Sequence, residues 1–391
     1  MSMDFERALA EVRTQLAAMA PGQPVTLAAV SSAMDQAPWL LGESRHRELS
    51  QRVHDYLVGA GPLEDLLRDH DVTDVVVNGP AEVWVERGHG LVRAHVSFDS
   101  EQQVRACAQR LAAAAGRALD DAHPWVDAAL PDGRRLHAVI PPIAVGCTAL
   151  SIRALSSASF TLAELSERGT LTSQSYPLVQ ALLAHRRALL ITGGTGSGKT
   201  TFLNCLLAAC DPRDRVVIVE DTTELSAGIA NAVRMQTRAA GHGGQGAVSL
   251  SDLVRQALRM RPDRVIVGEV RGAEIVDLLM AMNTGHTGGM ATVHANQVRD
   301  VPNRVQLLGA SSALNSSTLD SALARGIDAI VHLARDADGL RRVREIGVPM
   351  LVDGRLEVRA GWRLDGHVDA AARSQLMQLV FPADDAGIAD S

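Results

Sequence analysis

The run Gly193-Gly194-Thr195-Gly196-Ser197-Gly198-Lys199-Thr200 constrains this chain more than any other feature. It follows the apolar run ALLIT and leads into a segment of helical character, so it completes the pattern GxxxxGK[ST] in the strand, loop and helix setting that the pattern requires. Glycines let a loop turn its backbone N–H groups onto a phosphate, and the start of the following helix adds partial positive charge. Gly194, Thr195, Gly196, Ser197, Gly198, Lys199, Thr200 and Thr201 are therefore the candidate phosphate-binding residues, with the Lys199 amine directed to the β- and γ-phosphates and the Thr200 hydroxyl to Mg²⁺. Lys199 is the sole lysine among 391 residues; every other basic side chain apart from histidine is an arginine. A general preference for arginine explains the other positions, and the one surviving lysine falls where the motif demands it. ATP and Mg²⁺ are the expected ligands.

From Ser173 onward apolar runs alternate with helical patterns, which predicts an α/β fold with a mostly parallel sheet. Two of the runs, VVIVE and RVIVGE, end in acids, as a nucleotide-binding sheet requires at its carboxyl edge. Glu269 closes the second run and is the candidate to orient an attacking water, directly or through the magnesium shell. Glu220, Asp221 and Glu224 form a second acidic cluster, read either as a solvated turn or as positioning groups for Mg²⁺ and water, so Thr200, Glu220 and Glu269 make up the candidate metal set. His286 and His294 flank the apolar stretch GGMATV; without thiols or an HExxH pattern they suit a phosphate sensor better than zinc. Arg259, Arg261, Arg264 and Arg271 surround the acidic strand, and Arg134, Arg135 and Arg153 lie earlier in the chain, where guanidinium groups suit phosphate charge.

The remainder divides into a helical lead-in over 1–55, an α+β domain over 56–160 and a serine- and threonine-rich linker over 161–172. The nucleotide-binding domain is expected over 173–381, with a polar, disordered tail over 382–391. Hydrophobic residues make up 46% and charged residues 21%, ample for two packed cores. The four cysteines are scattered and read as small buried hydrophobes. No apolar run reaches the roughly 18 residues a membrane helix needs, and the acidic N-terminus is unlike a signal peptide, so membrane contact is expected to be peripheral. A net charge of -7 and 3% aromatic residues speak against nucleic acid as a partner. Three function classes stay open on these residues: a hydrolysing motor, a nucleotide-gated scaffold without turnover, and a nucleic-acid translocase.

Taken in order, GPLEDLL, VTDVVVNGP, VWVERG, LPDGRRLHAVIPP, SIRAL, GGTGSGKTTFLN, VEDTTEL, LRMRPDRVIVGEVRGAE and AMNTGHTGGMATVHAN resemble the type II/type IV secretion and pilus-assembly ATPase family. The closest resemblance is to its TadA/CpaF branch, which is similar to the VirB11 ATPases. The resemblance implies a homohexameric ring of two-domain subunits, each with an α+β N-terminal domain and a RecA-like domain. It makes VVIVEDTTEL an Asp box carrying Glu220 and Glu224, GHTGGMATVH a His box carrying His286 and His294, and Glu269 the catalytic glutamate. It further implies that Arg261 contacts phosphate and that Arg135 and Arg153 approach the γ-phosphate when the domains close. A cytoplasmic position at the inner membrane follows, where the ring acts on polytopic platform proteins in pilus assembly, protein export or VirB11-like conjugation. After Asn296 the sequence follows the family only loosely.

Overall fold

Alanine- and leucine-rich segments with apolar spacing of three to four residues open the chain and fold as α1 (Met3–Leu16), α2 (Leu27–Asp35) and α3 (Glu43–Leu57). The computed structural model describes residues 3–16, 25–35, 42–69, 71–88, 90–154, 160–225, 228–238, 246–285, 288–312 and 314–382. Phe5, Leu9, Val12, Val30, Met34, Leu49 and Val53 pack the three helices together. The chain divides into two compact units, Met1–Ser157 and Ala158–Ser391.

After the short helix α4 (Glu64–Arg68), the first unit builds an antiparallel sheet from β1 (Asp74–Gly79), β2 (Glu82–Glu86) and β3 (Leu91–Arg93), then β4 (Trp125–Ala129), β5 (Arg135–Val139) and β6 (Ala149–Arg153). Its strand order is β3-β2-β1-β6-β5-β4. Between β3 and β4 runs α5 (Glu101–Ala114), capped by the Ser100 hydroxyl, which accepts from the Gln103 N–H. Alternate strand residues such as Val75, Val77, Leu136 and Ile152 face Val104, Cys107, Ala108 and Leu111 of α5, which is the packing their period-2 and helical spacings dictate.

The second unit opens with α6 (Leu162–Glu167) and α7 (Ser175–Ala184). The stretch 161–172, expected as a linker, is instead part of this unit: Thr161 and Glu164 form a capping box for α6, and Leu162, Leu165 and Leu171 are buried in its core. One of the hydroxyls that suggested a linker, that of Thr161, caps α6. Then follow β7 (Leu189–Gly193), α8 (Lys199–Ala208), β8 (Val216–Glu220), β9 (Ala232–Gln236), α9 (Leu250–Ala257), β10 (Arg264–Val270), α10 (Glu274–Asn283) and β11 (Met290–Val293). The chain ends with α11 (Val301–Leu308), α12 (Ser316–Gly326), β12 (Ala329–Arg335), β13 (Arg341–Val352), β14 (Arg355–Arg363) and α13 (Ala370–Val380). From residue 383 onward the expected tail lies outside the described residues.

These strands form an eight-stranded sheet in the order β14-β13-β12-β7-β11-β10-β8-β9. Neighbours from β12 to β9 pair in parallel, and β13 and β14 return antiparallel. The central strands are buried on both faces, so their side chains sort by period 2 into two cores. Leu189, Ile191, Val216 and Ile218 pack under α7 and α8, whereas Leu190, Val217, Val219 and Val267 pack under α9 and α10. This is the expected α/β class, and the carboxyl ends of β7, β8, β10 and β11 bring the motif residues to one edge.

Candidate active site

The glycine loop leaves the carboxyl end of β7. Gly193, Gly196 and Gly198 have φ of +153°, +71° and +92°, which side chains with a Cβ resist. A Cβ on Gly193 would stand 2.3 Å from the Leu333 carbonyl oxygen and 2.4 Å from Ser197 Oγ, whereas a Cβ on Gly194 or Gly196 would meet open space. The loop is thus pressed onto β12 below and open above. Lys199 starts α8, is 8% exposed, and donates from Nζ to the Gly193 and Gly194 carbonyls at 2.9 and 2.8 Å. Burial holds its pKa below the ordinary lysine value; Arg271 adds to this and Glu269 opposes it.

Glu269 stands at the end of β10 and is gripped from two sides. Arg271 donates to its Oε2 at 2.6 Å, and His294, just past β11, lies with Nε2 3.1 Å from Oε1. His294 Nε2 is also 3.5 Å from Lys199 Nζ. Burial works against the Glu269 charge, yet Arg271, His294 and Lys199 outweigh it and hold the carboxyl below its ordinary range. His294 is in turn pushed below the usual histidine value by burial and by Lys199, against the pull of Glu269. At neutral pH the arrangement is an ionised carboxylate beside a neutral imidazole. The turn that folds Arg271 back is fixed by Glu274, whose Oε1 accepts from the Arg271 and Gly272 N–H groups at 2.6 and 2.7 Å.

Of Glu220 and Glu224, the latter lies beside the glycine loop, with Thr200 Oγ1 3.5 Å from its Oε2. Glu220, expected as a magnesium ligand, is turned inward instead. It is 4% exposed, and its Oε1 accepts the Glu224 and Leu225 N–H groups, both at 2.9 Å. Burial raises its carboxyl to about 7, against the pull of those two N–H groups. A Cβ on Gly268 would come within 2.8 Å of Glu220 Cγ, so the glycine before Glu269 makes room for this inward carboxyl.

Other expectations are redrawn. Arg261 precedes β10, at the amino-terminal edge of the sheet. At a strand rise of about 3.3 Å per residue, the five steps from Arg264 to Glu269 already span about 17 Å, so Arg261 lies at the opposite edge of the sheet from the glycine loop. Arg264 is structural: it is 2% exposed and donates to Asp214 at 2.7 Å and to the Leu183 carbonyl at 3.1 Å, while Arg186 pairs with the same fully buried Asp214. Arg135 and Arg153 lie in the first unit on paired strands, bound to Asp127 at 2.8 Å and Asp74 at 3.2 Å, and Arg134 is held by Glu64. His286 falls outside the described residues. Two contacts carry no motif in the sequence. Thr192 Oγ1 bonds His332 Nδ1 of β12 at 3.0 Å, and Arg341 Nε of β13 donates to the Gly196 carbonyl at 3.0 Å.

The residues fit a nucleotide and its magnesium ion. Ser197 Oγ is buried without a hydrogen-bond partner at the base of the loop, the space over Gly194 and Gly196 is open, and the Thr200 hydroxyl and Glu224 carboxylate face one another. A second cleft of about 860 Å³, lined by Leu162, Pro177, Ala181 and Phe381, contains none of the motif residues.

Comparison with known proteins agrees with this architecture. The chain is 47% identical over 347 residues to a putative conjugal transfer protein of Mycobacterium tuberculosis, covering 87% of this chain and 99% of that one. It is 33% identical over 306 residues to the conjugal transfer protein TrbB of Rhizobium radiobacter, covering 77% and 90%. Its fold matches the Legionella pneumophila ATPase DotB with a TM-score of 0.53 at 18% identity, over 81% of this chain and 84% of that one. The family model described as type II/IV secretion system protein matches residues 57–359, and the chain belongs to that family.

Proposed function

We propose that this chain is a magnesium-dependent ATPase that powers a secretion or conjugation machine. The observation that carries the reading is the convergence of Glu269, His294 and Lys199 within hydrogen-bonding range at the mouth of the glycine loop. The loop N–H groups and Lys199 hold the β- and γ-phosphates of ATP, a role that draws the amine away from the Gly193 and Gly194 carbonyls. Thr200 and Glu224 hold the metal shell, in which Mg²⁺ supplies charge neutralisation on the phosphates when bound. Among the described residues no cluster of three acids, histidines or cysteines could cage a metal by itself, which suits an ion shared with substrate phosphate.

Glu269, kept ionised by Arg271, orients the attacking water and accepts its proton. His294 stands against both Glu269 and Lys199, so any movement of that carboxylate on turnover is felt at the start of the segment leading to α11. Arg135 and Arg153, on paired strands of the first unit, are the further guanidinium groups we assign to phosphate. Arg261 suits contact with a neighbouring subunit rather than its own loop.

The assembly we envisage is a homohexamer at the cytoplasmic face of the inner membrane, acting on polytopic platform proteins. No helix among the described residues is long and apolar enough to cross a membrane. The names of the relatives favour type IV secretion and conjugation over Tad-type pilus assembly. Steady-state hydrolysis across protein concentration, with light scattering for mass, tests the reading. Lys199→Ala is expected to lose both ATP binding and turnover. Glu269→Gln is expected to keep binding while turnover falls by about 10²- to 10⁴-fold. Normal hydrolysis by Glu269→Gln would remove Glu269 from its role.

A further inference from the structure

We propose that Arg341 is a nucleotide-binding residue that takes the α-phosphate, at the nucleoside end of the site. The inference rests on the ATP reading and extends it to a residue outside the motifs.

Strand order sets the direction in which a nucleotide can lie. The P-loop leaves β7; Glu269 and Arg271 lie at the end of β10, and His294 follows β11, all to one side of β7 in the order β12-β7-β11-β10. Neighbouring strands stand about 4.8 Å apart, so Glu269 lies roughly two strand spacings, or about 10 Å, from the loop's own strand. The reacting γ-phosphate belongs on that side. A triphosphate is a linear chain held at its middle by the loop N–H groups, so the α-phosphate and nucleoside continue to the other side, over β12 and β13.

Arg341 opens β13 on that side. Its Nε donates to the Gly196 carbonyl at 3.0 Å, and its Cδ lies 3.1 Å from where a Cβ on Gly198 would stand. The guanidinium is therefore held against the flank of the loop, beside the open space over Gly196. Its position is anchored by the antiparallel pairing of Arg341 with Arg335 at the top of β12, the strand against which Gly193 is pressed. A planar, permanently charged donor so placed suits a phosphate oxygen.

The test compares two ligands of the full chain: ADP, which carries the α-phosphate and nucleoside, and inorganic phosphate, which fills only the central seat of the loop. Arg341→Ala should weaken ADP by about tenfold, the scale of one charge-assisted hydrogen bond, and leave inorganic phosphate within about twofold. Arg341→Lys, which keeps the charge, should recover part of the loss, and Lys199→Ala should weaken both ligands. Unchanged ADP affinity in Arg341→Ala overturns the assignment. So does an equal loss for ADP and phosphate, because Arg341 would then only shape the loop. Failure of the unmodified chain to bind either ligand overturns the ATP reading itself, and this assignment with it.

Discussion

Replacing Glu220 by glutamine should change the pH dependence of stability in the nucleotide-binding unit. The carboxyl is 4% exposed and is raised from an ordinary 4.5 to about 7, burial outweighing the Glu224 and Leu225 N–H groups. A carboxyl raised on folding binds its proton more tightly in the native chain than in the unfolded one. Its contribution is therefore fully present below about pH 4.5 and is lost as pH rises through about 7. At about 1.4 kcal/mol per pH unit, the shift of roughly 2.5 units corresponds to about 3 kcal/mol lost across that window. Glutamine keeps an oxygen for the two N–H groups and cannot ionise, so this component should vanish. Between pH 5 and 8 the variant should gain about 2–3 kcal/mol relative to the parent. Urea unfolding read by Trp362, which is buried in the second unit, measures the difference in a background where Trp39, Trp84 and Trp125 are phenylalanine. Parallel stability curves for parent and variant over that range would refute the argument, because the carboxylate would then be ionised at little cost.

Three further outcomes follow from contacts in the same unit. Glu224→Gln should raise the Mg²⁺ concentration needed for half-maximal hydrolysis by about tenfold or more while leaving metal-free ADP binding unchanged, as a titration at fixed ATP would show. Gly193→Ala places a methyl 2.3 Å from the Leu333 carbonyl, so unfolding should reveal a loss of about 1–3 kcal/mol together with weakened ADP binding. Arg264→Ala strips the fully buried Asp214 of one partner and leaves Arg186; denaturant titration should register a cost of about 3 kcal/mol, the lower end for a broken buried pair.

The parts of this molecule that were legible in the sequence are those whose chemistry and local geometry coincide. The glycine loop could be placed between strand and helix because its glycines, lysine and threonine are demanded by contacts within a single strand-loop-helix unit. Glu269 could be placed because a carboxylate at the end of a fully apolar strand must emerge at the sheet's carboxyl edge. Arg261 and Arg264 misled for the complementary reason: residue type and proximity in sequence suggested phosphate, but a strand carries its two ends about 17 Å apart, and these arginines sit at the wrong one. Glu220 and Glu224 looked equivalent until the turn between them was folded, when backbone N–H groups claimed one and Thr200 approached the other. Arg341 and His332 carry no local signal, because His332 meets Thr192 of β7 and Arg341 meets Gly196 only through the pairing of β13, β12 and β7, across more than a hundred residues. The edge strand β4, of sequence WVDAA, has an alternation too weak to be read alone and becomes a strand only against β5.

The solitary lysine also makes the chain its own chemical reporter. Apart from the α-amino group, every primary amine that an acylating reagent can find in this protein is the one on Lys199. Its lowered pKa enriches the unprotonated, nucleophilic form, while the Gly193 and Gly194 carbonyls and a surface only 8% exposed restrain access to it. A single mass increment on one tryptic fragment therefore counts open P-loops, and its suppression by nucleotide counts filled ones, subunit by subunit in whatever assembly the chain forms.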